Sequence, residues 1–183
     1  MNAPRSPVDA KPPRMERLAR LPVFFALAGK RVVLTGGTAA AAWKAELLSA
    51  AGAEVDVFAH DVSDELLALA ADPPDGAIVL HLRAWQGSDL TGAALAIGAL
   101  NNDDEASRFA AAARAAGVPV NVVDKPAFCD FSFGSIVNRS PLVIAISTDG
   151  AAAFKRKEHG QARQRLHARR CGFSRRALFA HVQ

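Results

Sequence analysis

The 183-residue sequence contains no apolar run long enough to cross a membrane as a helix. Its first twenty residues are rich in Pro, Arg and Lys and contain no apolar stretch, so they are predicted to form a disordered leader instead of a secretory signal. We therefore expect a cytoplasmic protein. A mitochondrial address is a weaker interpretation, because the Arg-rich leader also contains the acidic residues Asp9 and Glu16.

Cysteine is scarce, and this argues against two classes of site. Cys129 and Cys171 are the two cysteines, and they have no CxxC spacing, so neither a disulfide framework nor a thiolate metal site is predicted. The five histidines are scattered and form no cluster with metal-ligand spacing; they are His60, His81, His159, His167 and His181.

The net charge of +4 is unevenly distributed. Residues 1–153 contain 13 Lys and Arg against 17 Asp and Glu, a charge of −4, whereas residues 154–183 contain nine against one, a charge of +8. The basic segment has almost no apolar periodicity and is predicted to be a disordered tail. It has no aromatic platform or recognition motif, so we expect neither nucleic acid nor membrane as a partner.

Short β-branched runs alternate with helix-forming stretches between residues 31 and 124. This alternation predicts an α/β fold, a Rossmann-like doubly wound parallel sheet. In the first predicted helix, Trp43, Leu47 and Leu48 lie on one face. Ser63 is expected to cap the second helix, and Gly117 to end the third. The predicted strands are 31–35, 54–59, 77–80, 93–99 and 118–124, and the predicted helices are 39–51, 64–71 and 103–116.

A glycine-rich turn joins the first strand to the first helix. Gly36, Gly37 and Thr38 are followed by three alanines, and the backbone N–H groups at such a helix start can bind a pyrophosphate. Thr38 stands where the dinucleotide fingerprint has its second glycine. Asp61, just past the second strand, can accept hydrogen bonds from an adenine ribose, which favours NAD over NADP. The alternative is a glycine turn that binds nothing.

Polar residues also follow the fourth and fifth strands. Asn101 and Asn102 end the fourth strand and Asp124 ends the fifth, and strand ends at one edge of a parallel sheet face one crevice. The amides are expected to orient the cofactor, and the carboxylate to act as a general base. Each residue also has a structural alternative: Asn102 or Asp103 as a helix cap, and Asp124 as a turn residue.

A β-rich segment follows Asp124, and residues 135–150 are predicted to form two strands around a turn. Asp124 is therefore expected to lie at a junction between two structural units. The predicted organisation is a leader (1–20), a dinucleotide-binding domain (21–126), the start of a partial α+β dimerisation and substrate unit (127–153), and the basic tail (154–183).

Several motifs occur in an order typical of one family. They are Leu21-Pro22-Val23-Phe24, Gly36-Gly37 with Lys44-Ala45, Asn121-Val122-Val123-Asp124, Ser135 to Leu142, and Ile146-Ser147-Thr148-Asp149-Gly150. Over residues 18–153 this set resembles the N-terminal module of siroheme synthase, the precorrin-2 dehydrogenase and sirohydrochlorin ferrochelatase. The resemblance implies NAD-dependent oxidation of precorrin-2, insertion of ferrous iron in many members, and a homodimer.

The resemblance also implies roles for individual residues. Ala39 and Ala40 would lie at the cofactor phosphates, and His60 with Asp61 at the adenosine end. Asp124 matches the catalytic aspartate. In the loop that contacts the tetrapyrrole, Thr148 supplies a hydroxyl, and Gly150 lets the loop turn. The macrocycle itself would ligate the iron, so no protein metal site is expected.

Two further hypotheses concern the substrate and the tail. Because the tetrapyrrole is a polycarboxylate, Lys125 and Arg139 are expected to contact its carboxylates. After residue 153 the family's pattern gives way to the Arg-rich tail, and a shifted reading frame would produce such a change.

The alternative function is a catalytically inactive, NAD-binding relic of the family, in which no closed site forms.

Overall fold

The structure is a computed structural model that describes residues 15–147. Thr148, Gly150 and the basic tail therefore lie outside the described residues, as does most of the leader. The described residues divide into two compact units: Phe24–Phe133 is one, and the other contains residues 15–23 and 134–147. No helix of the described part is long and apolar enough to cross a membrane.

The unit Phe24–Phe133 contains a five-stranded parallel sheet. Its strands are β1 (Arg31–Thr35), β2 (Glu54–Phe58), β3 (Ala77–His81), β4 (Leu95–Gly98) and β5 (Val120–Val122). They are ordered β3-β2-β1-β4-β5, and every neighbouring pair is parallel. The predicted doubly wound sheet is thus confirmed. In this order the chain changes direction between β1 and β4, the place where such sheets bind ligands.

Three helices cover the two faces of the sheet: α1 (Ala39–Ser49), α2 (Asp64–Ala71) and α3 (Asp103–Ala115). Because side chains alternate along a strand, Val32 and Leu34 of β1 join the core that contains α1 and α2, while Val33 joins the core of α3. Both faces of the strand are therefore buried, which explains why β1 is a continuous apolar run.

The boundaries of α2 and its cap agree with the prediction, since Leu66 N–H donates to the Ser63 side chain. The apolar face predicted for α1 was wrong in one respect, because the side chain of Trp43 is 56% exposed. The buried face is made mostly of small residues, which allow the helix close to the sheet; it consists of Ala41, Ala42, Lys44, Ala45, Leu48 and Ser49. β4 and β5 are shorter than predicted, and β5 ends two residues before Asp124.

The second unit contains an antiparallel hairpin, β6 (Ser135–Arg139) and β7 (Leu142–Ile146), as predicted. Ser140 and Pro141 form its turn, and Ser140 N–H donates to the Asn138 side chain at 3.0 Å. Ile136, Leu142 and Val143 are exposed, so the hairpin leaves apolar side chains uncovered in a single chain.

Candidate functional site

The glycine turn after β1 is held by two backbone contacts that leave no room for side chains. Gly36 has a φ of 107°, and a Cβ there would lie 2.4 Å from the Ala99 carbonyl oxygen. A Cβ on Gly37 would lie 1.8 Å from the Asp61 carbonyl oxygen. The two glycines therefore let the turn pack against the ends of β4 and β2.

The amino terminus of α1 is open. Thr38, Ala39 and Ala40 are exposed, and Thr38, at the cap position, makes no side-chain hydrogen bond to the helix. The first helical bond runs from Ala42 N–H to the Thr38 carbonyl, so the amides of the first turn remain available to an anion. This backbone fits the pyrophosphate of a dinucleotide even though Thr38 replaces a glycine, since the helix is not capped by a side chain.

The residues predicted for the adenosine end lie next to this turn. His60 and Asp61 lie just past the end of β2 and are both exposed. The loop is fixed to the glycine turn by a 2.8 Å hydrogen bond from Ser63 N–H to the Gly37 carbonyl. The structure thus brings together the glycine turn and Asp61, which are separated by more than twenty positions in the sequence.

A cleft of about 220 Å³ opens at the carboxyl ends of β1, β4 and β5. It joins the amino terminus of α1 to Asp124, the candidate base. Its lining residues are Thr38, Ala40, Ala99, Leu100, Asn101, Val123, Asp124 and Lys125. Ala99, Leu100 and Val123 were not predicted as site residues; their positions directly after strands β4 and β5 are the signal that could have identified them.

Asp124 is exposed and occupies a turn with left-handed backbone geometry. Its φ of 59° is positive, and no other non-glycine residue in the described part of the chain has a positive φ. Lys125 N–H donates to the Val122 carbonyl at 3.2 Å and closes the turn. Aspartate tolerates this conformation better than most residues. Asp124 is therefore a turn residue and a cleft residue at once, so the two interpretations of the sequence are compatible.

The turn is braced by the segment that follows it. The single S–H of Cys129 is within hydrogen-bond reach of the carbonyls of Val122 (3.2 Å) and Lys125 (3.3 Å), and its sulfur accepts from Val122 N–H. The buried Asn121 amide donates to the Phe131 carbonyl at 2.8 Å. Sequence reasoning missed this function of Asn121 and Cys129, because the bonds join residues whose pairing depends on the path of the chain after β5.

Two predicted site residues have structural partners. The Asn102 side chain accepts hydrogen bonds from the N–H groups of Asp104 (2.7 Å) and Glu105 (3.3 Å), and so caps α3. Lys125 forms an ion pair with Asp103. Asn101, without a capping role, lines the cleft. Of the two amides, Asn101 is therefore the better placed to orient a ligand there.

The hairpin residue Arg139 donates to the Asn138 carbonyl at 2.8 Å and is otherwise exposed. Its guanidinium has donors to spare for a carboxylate. Arg139 belongs to the hairpin unit, whereas the cleft belongs to the unit Phe24–Phe133.

Comparison with known proteins identifies relatives of this chain. A family model described as "Putative NAD(P)-binding" matches residues 23–135. Siroheme synthases from Ectopseudomonas mendocina (strain ymp) and Pseudomonas putida (strain F1) are each 46% identical over 132 residues, which are 72% of this chain and 28% of each relative. The chain thus spans less than a third of the length of these relatives.

A solved structure shares the fold. The chain named SirC, precorrin-2 dehydrogenase, superposes with a TM-score of 0.60 at 20% identity, covering 85% of this chain and 72% of that one. The resemblance inferred from the ordered motifs is confirmed by these relatives. Because the family model matches well over half of its residues, the protein belongs to this NAD(P)-binding family.

Proposed function

We propose that this protein is an NAD-dependent precorrin-2 dehydrogenase that forms sirohydrochlorin. The observation that carries the proposal is the single cleft that contains both the open amino terminus of α1 and the Asp124 carboxylate. An oxidation of this kind removes a hydride and a proton from the substrate, so it needs a hydride acceptor and a base at one place. The names of the 46% identical relatives and of the structural neighbour agree with this substrate.

The residues of the cleft and of the loops beside it divide between cofactor and substrate. NAD bound there would accept the hydride. The amides of Thr38, Ala39 and Ala40 would hold its phosphates at the positive end of the α1 dipole, next to the backbone of Gly36 and Gly37. His60 and Asp61 would contact the adenosine, and a free carboxylate at Asp61 favours the ribose hydroxyl of NAD over the phosphate of NADP. Asn101 would orient the nicotinamide end.

Asp124 is the proposed base. Its carboxylate would take a proton from the tetrapyrrole as the hydride leaves, and the same group can accept pyrrole N–H protons during insertion of ferrous iron as a substrate. Lys125 would contact a substrate carboxylate only by leaving Asp103. Thr148 and Gly150 are proposed to contact the tetrapyrrole, as the resemblance implies. The protein is further proposed to be a homodimer and to be located in the cytoplasm.

The proposed function is tested by turnover of the purified full chain with precorrin-2. We expect NADH formation to follow the appearance of sirohydrochlorin one to one, and the kcat/KM for NAD to exceed that for NADP because Asp61 is acidic and repels the additional phosphate. Binding of NAD without turnover would instead favour the inactive relic. Release of iron-loaded product on addition of ferrous iron would extend the proposal to the chelatase step.

Arg139 has a separate predicted effect. We expect Arg139→Ala to raise the KM for precorrin-2 by at least about tenfold and to leave kcat and the KM for NAD unchanged, since one charge-assisted hydrogen bond is worth about 1.5–3 kcal/mol. Steady-state kinetics with each substrate varied in turn measure this. Arg83→Ala is the matched control, because Arg83 binds Asp89 outside the cleft. An unchanged KM for the tetrapyrrole would contradict the assignment.

A further inference from the structure

β5 is at the edge of the sheet, and its outward side is closed by the segment that follows it. Val120 N–H donates to the Asp130 carboxylate at 3.1 Å, and Asp130 N–H donates to the Val120 carbonyl at 2.8 Å. Val122 is 1% exposed, and its N–H donates to the Cys129 sulfur at 3.2 Å. Cys129 therefore stands where a further strand would supply an acceptor for this buried N–H group.

The same sulfur reaches both ends of the turn that carries Asp124. It lies 3.2 Å from the carbonyl oxygen of Val122, the last residue of β5, and 3.3 Å from that of Lys125. The S–H can donate to one of these carbonyls at a time, while the sulfur accepts from Val122 N–H. One side chain thus joins the residue at which the strand ends to the residue directly after the candidate base.

Cys129 is itself held in place from two sides. Its N–H donates at 3.2 Å to the carbonyl of Pro126, in the short helical turn Pro126–Phe128. The next residue, Asp130, forms an ion pair with Arg114 of α3 at 2.8 Å. The thiol is therefore fixed relative to β5 and α3, and through it the turn of Asp124 is tied to these two elements.

The turn needs support because Asp124 has a left-handed backbone conformation. Its φ is 59°, a region that is unfavourable for residues with a Cβ, although less so for aspartate than for most. The backbone bond that closes the turn, from Lys125 N–H to the Val122 carbonyl, is 3.2 Å, the long end of the usual range. Without the sulfur, this bond would have to hold the conformation against its own strain.

We propose that Cys129 is a positioning residue that keeps the Asp124 carboxylate in the cleft by fixing both ends of its turn. Its effect on catalysis rests on the proposed function, whereas its effect on the turn does not. A general base acts only within hydrogen-bond reach of the proton that it removes, so a displacement of about 1 Å is enough to slow the reaction. Loss of the sulfur would take this acceptor from the buried Val122 N–H, and the turn would open to let water replace it.

Amide hydrogen exchange of the ligand-free full chain, followed by NMR, tests the effect on the turn. We expect Cys129→Ala to speed exchange of Lys125 N–H at least about tenfold, because the turn opens more often. Cys129→Ser should stay within about threefold of wild type, since a hydroxyl also donates and accepts. Val120 N–H, bonded to Asp130, is the internal reference. Unchanged exchange at Lys125, or equal acceleration at Val120, would overturn the proposed support of the turn.

Steady-state kinetics of precorrin-2 oxidation test the catalytic effect. Cys129→Ala should lower kcat about tenfold and leave the KM for NAD unchanged, because the phosphate-binding turn lies in a different loop. Cys129→Ser should keep at least about a third of the wild-type kcat. Ser49→Ala is the matched control and should keep the wild-type kcat. Ser49 is also small, polar and buried, and it donates to the Glu46 carbonyl at 3.1 Å outside the cleft.

A double variant separates positioning of the base from a general loss of structure. In Asp124→Asn the base is already absent, so adding Cys129→Ala should leave the residual kcat within about twofold. A further tenfold loss in the double variant, or an unchanged kcat in Cys129→Ala alone, would overturn the catalytic role. If the wild-type protein does not oxidise precorrin-2, the proposed function fails, and the exchange rates still decide whether Cys129 supports the turn.

Discussion

Replacing Asp124 by asparagine is expected to lower kcat for precorrin-2 oxidation by about 10²–10⁴-fold, the usual contribution of a general base. Asparagine has nearly the same shape as aspartate and also tolerates the left-handed backbone at φ 59°. The turn closed by Lys125 N–H and the Val122 carbonyl should therefore persist. The expected result is a protein that binds NAD normally and does not turn over. Stopped-flow NADH absorbance, with NAD affinity measured by calorimetry, provides the two readouts.

The choice of asparagine matters, because alanine would mix two effects. A left-handed conformation costs most residues about 1–2 kcal/mol, so Asp124→Ala is expected to destabilise the turn as well as remove the carboxylate. Asp75→Asn is the matched control, since Asp75 caps Gly76 N–H in an exposed loop outside the cleft. A kcat for Asp124→Asn within threefold of wild type would exclude Asp124 as the base.

Gly37→Ala is expected to have the largest effect on the fold around the cofactor. The new Cβ would be placed 1.8 Å from the Asp61 carbonyl oxygen, and a backbone atom cannot yield as a flexible side chain can. Either the loop after β2 or the turn after β1 must move, and the hydrogen bond from Ser63 N–H to the Gly37 carbonyl would be lost. We expect the free energy of unfolding to fall by at least about 2 kcal/mol.

Urea unfolding measures the stability change, and calorimetry measures the affinity for NAD. Gly87→Ala is the matched control, since a Cβ there meets nothing within 4 Å and its φ is not in the left-handed region. We expect that control to stay within about 0.5 kcal/mol of wild type. If Gly37→Ala bound NAD with wild-type affinity and stability, the close approach of the two loops would not be a requirement of the site.

The secondary structure was predictable because its signals are local. β1 was predicted with the observed ends from a β-branched run ahead of a glycine turn, and α2 from Ser63 at its start. The predicted ends of strands and helices were less accurate where the sequence contains no clear start or stop residue. The predicted strand 93–99 is observed as Leu95–Gly98, because small apolar residues do not mark where pairing stops.

The candidate site was predictable in part, for a related reason. Gly36, Thr38, Asn101 and Asp124 follow strands of a parallel sheet, and the carboxyl ends of such strands share an edge. Asn102 shows the limit of this argument. Its position after β4 suits a ligand as well as a helix cap, and only the hydrogen bonds to Asp104 and Glu105 decided for the cap.

The order of strands and helices, the glycine turn and the family could all be read from the sequence, since each depends on neighbouring residues or on motifs in a fixed order. Contacts between residues that are far apart in the sequence depend instead on the three-dimensional arrangement of these elements. The strand order β3-β2-β1-β4-β5 brings the turn at Gly37 against Asp61, and the path of the chain after β5 places Cys129 under the turn of Asp124. The contact between buried Lys44 and the Phe133 ring likewise joins residues that are far apart in the sequence. Periodicity gives the face of a helix, whereas the charge and packing opposite that face depend on residues far away in the chain.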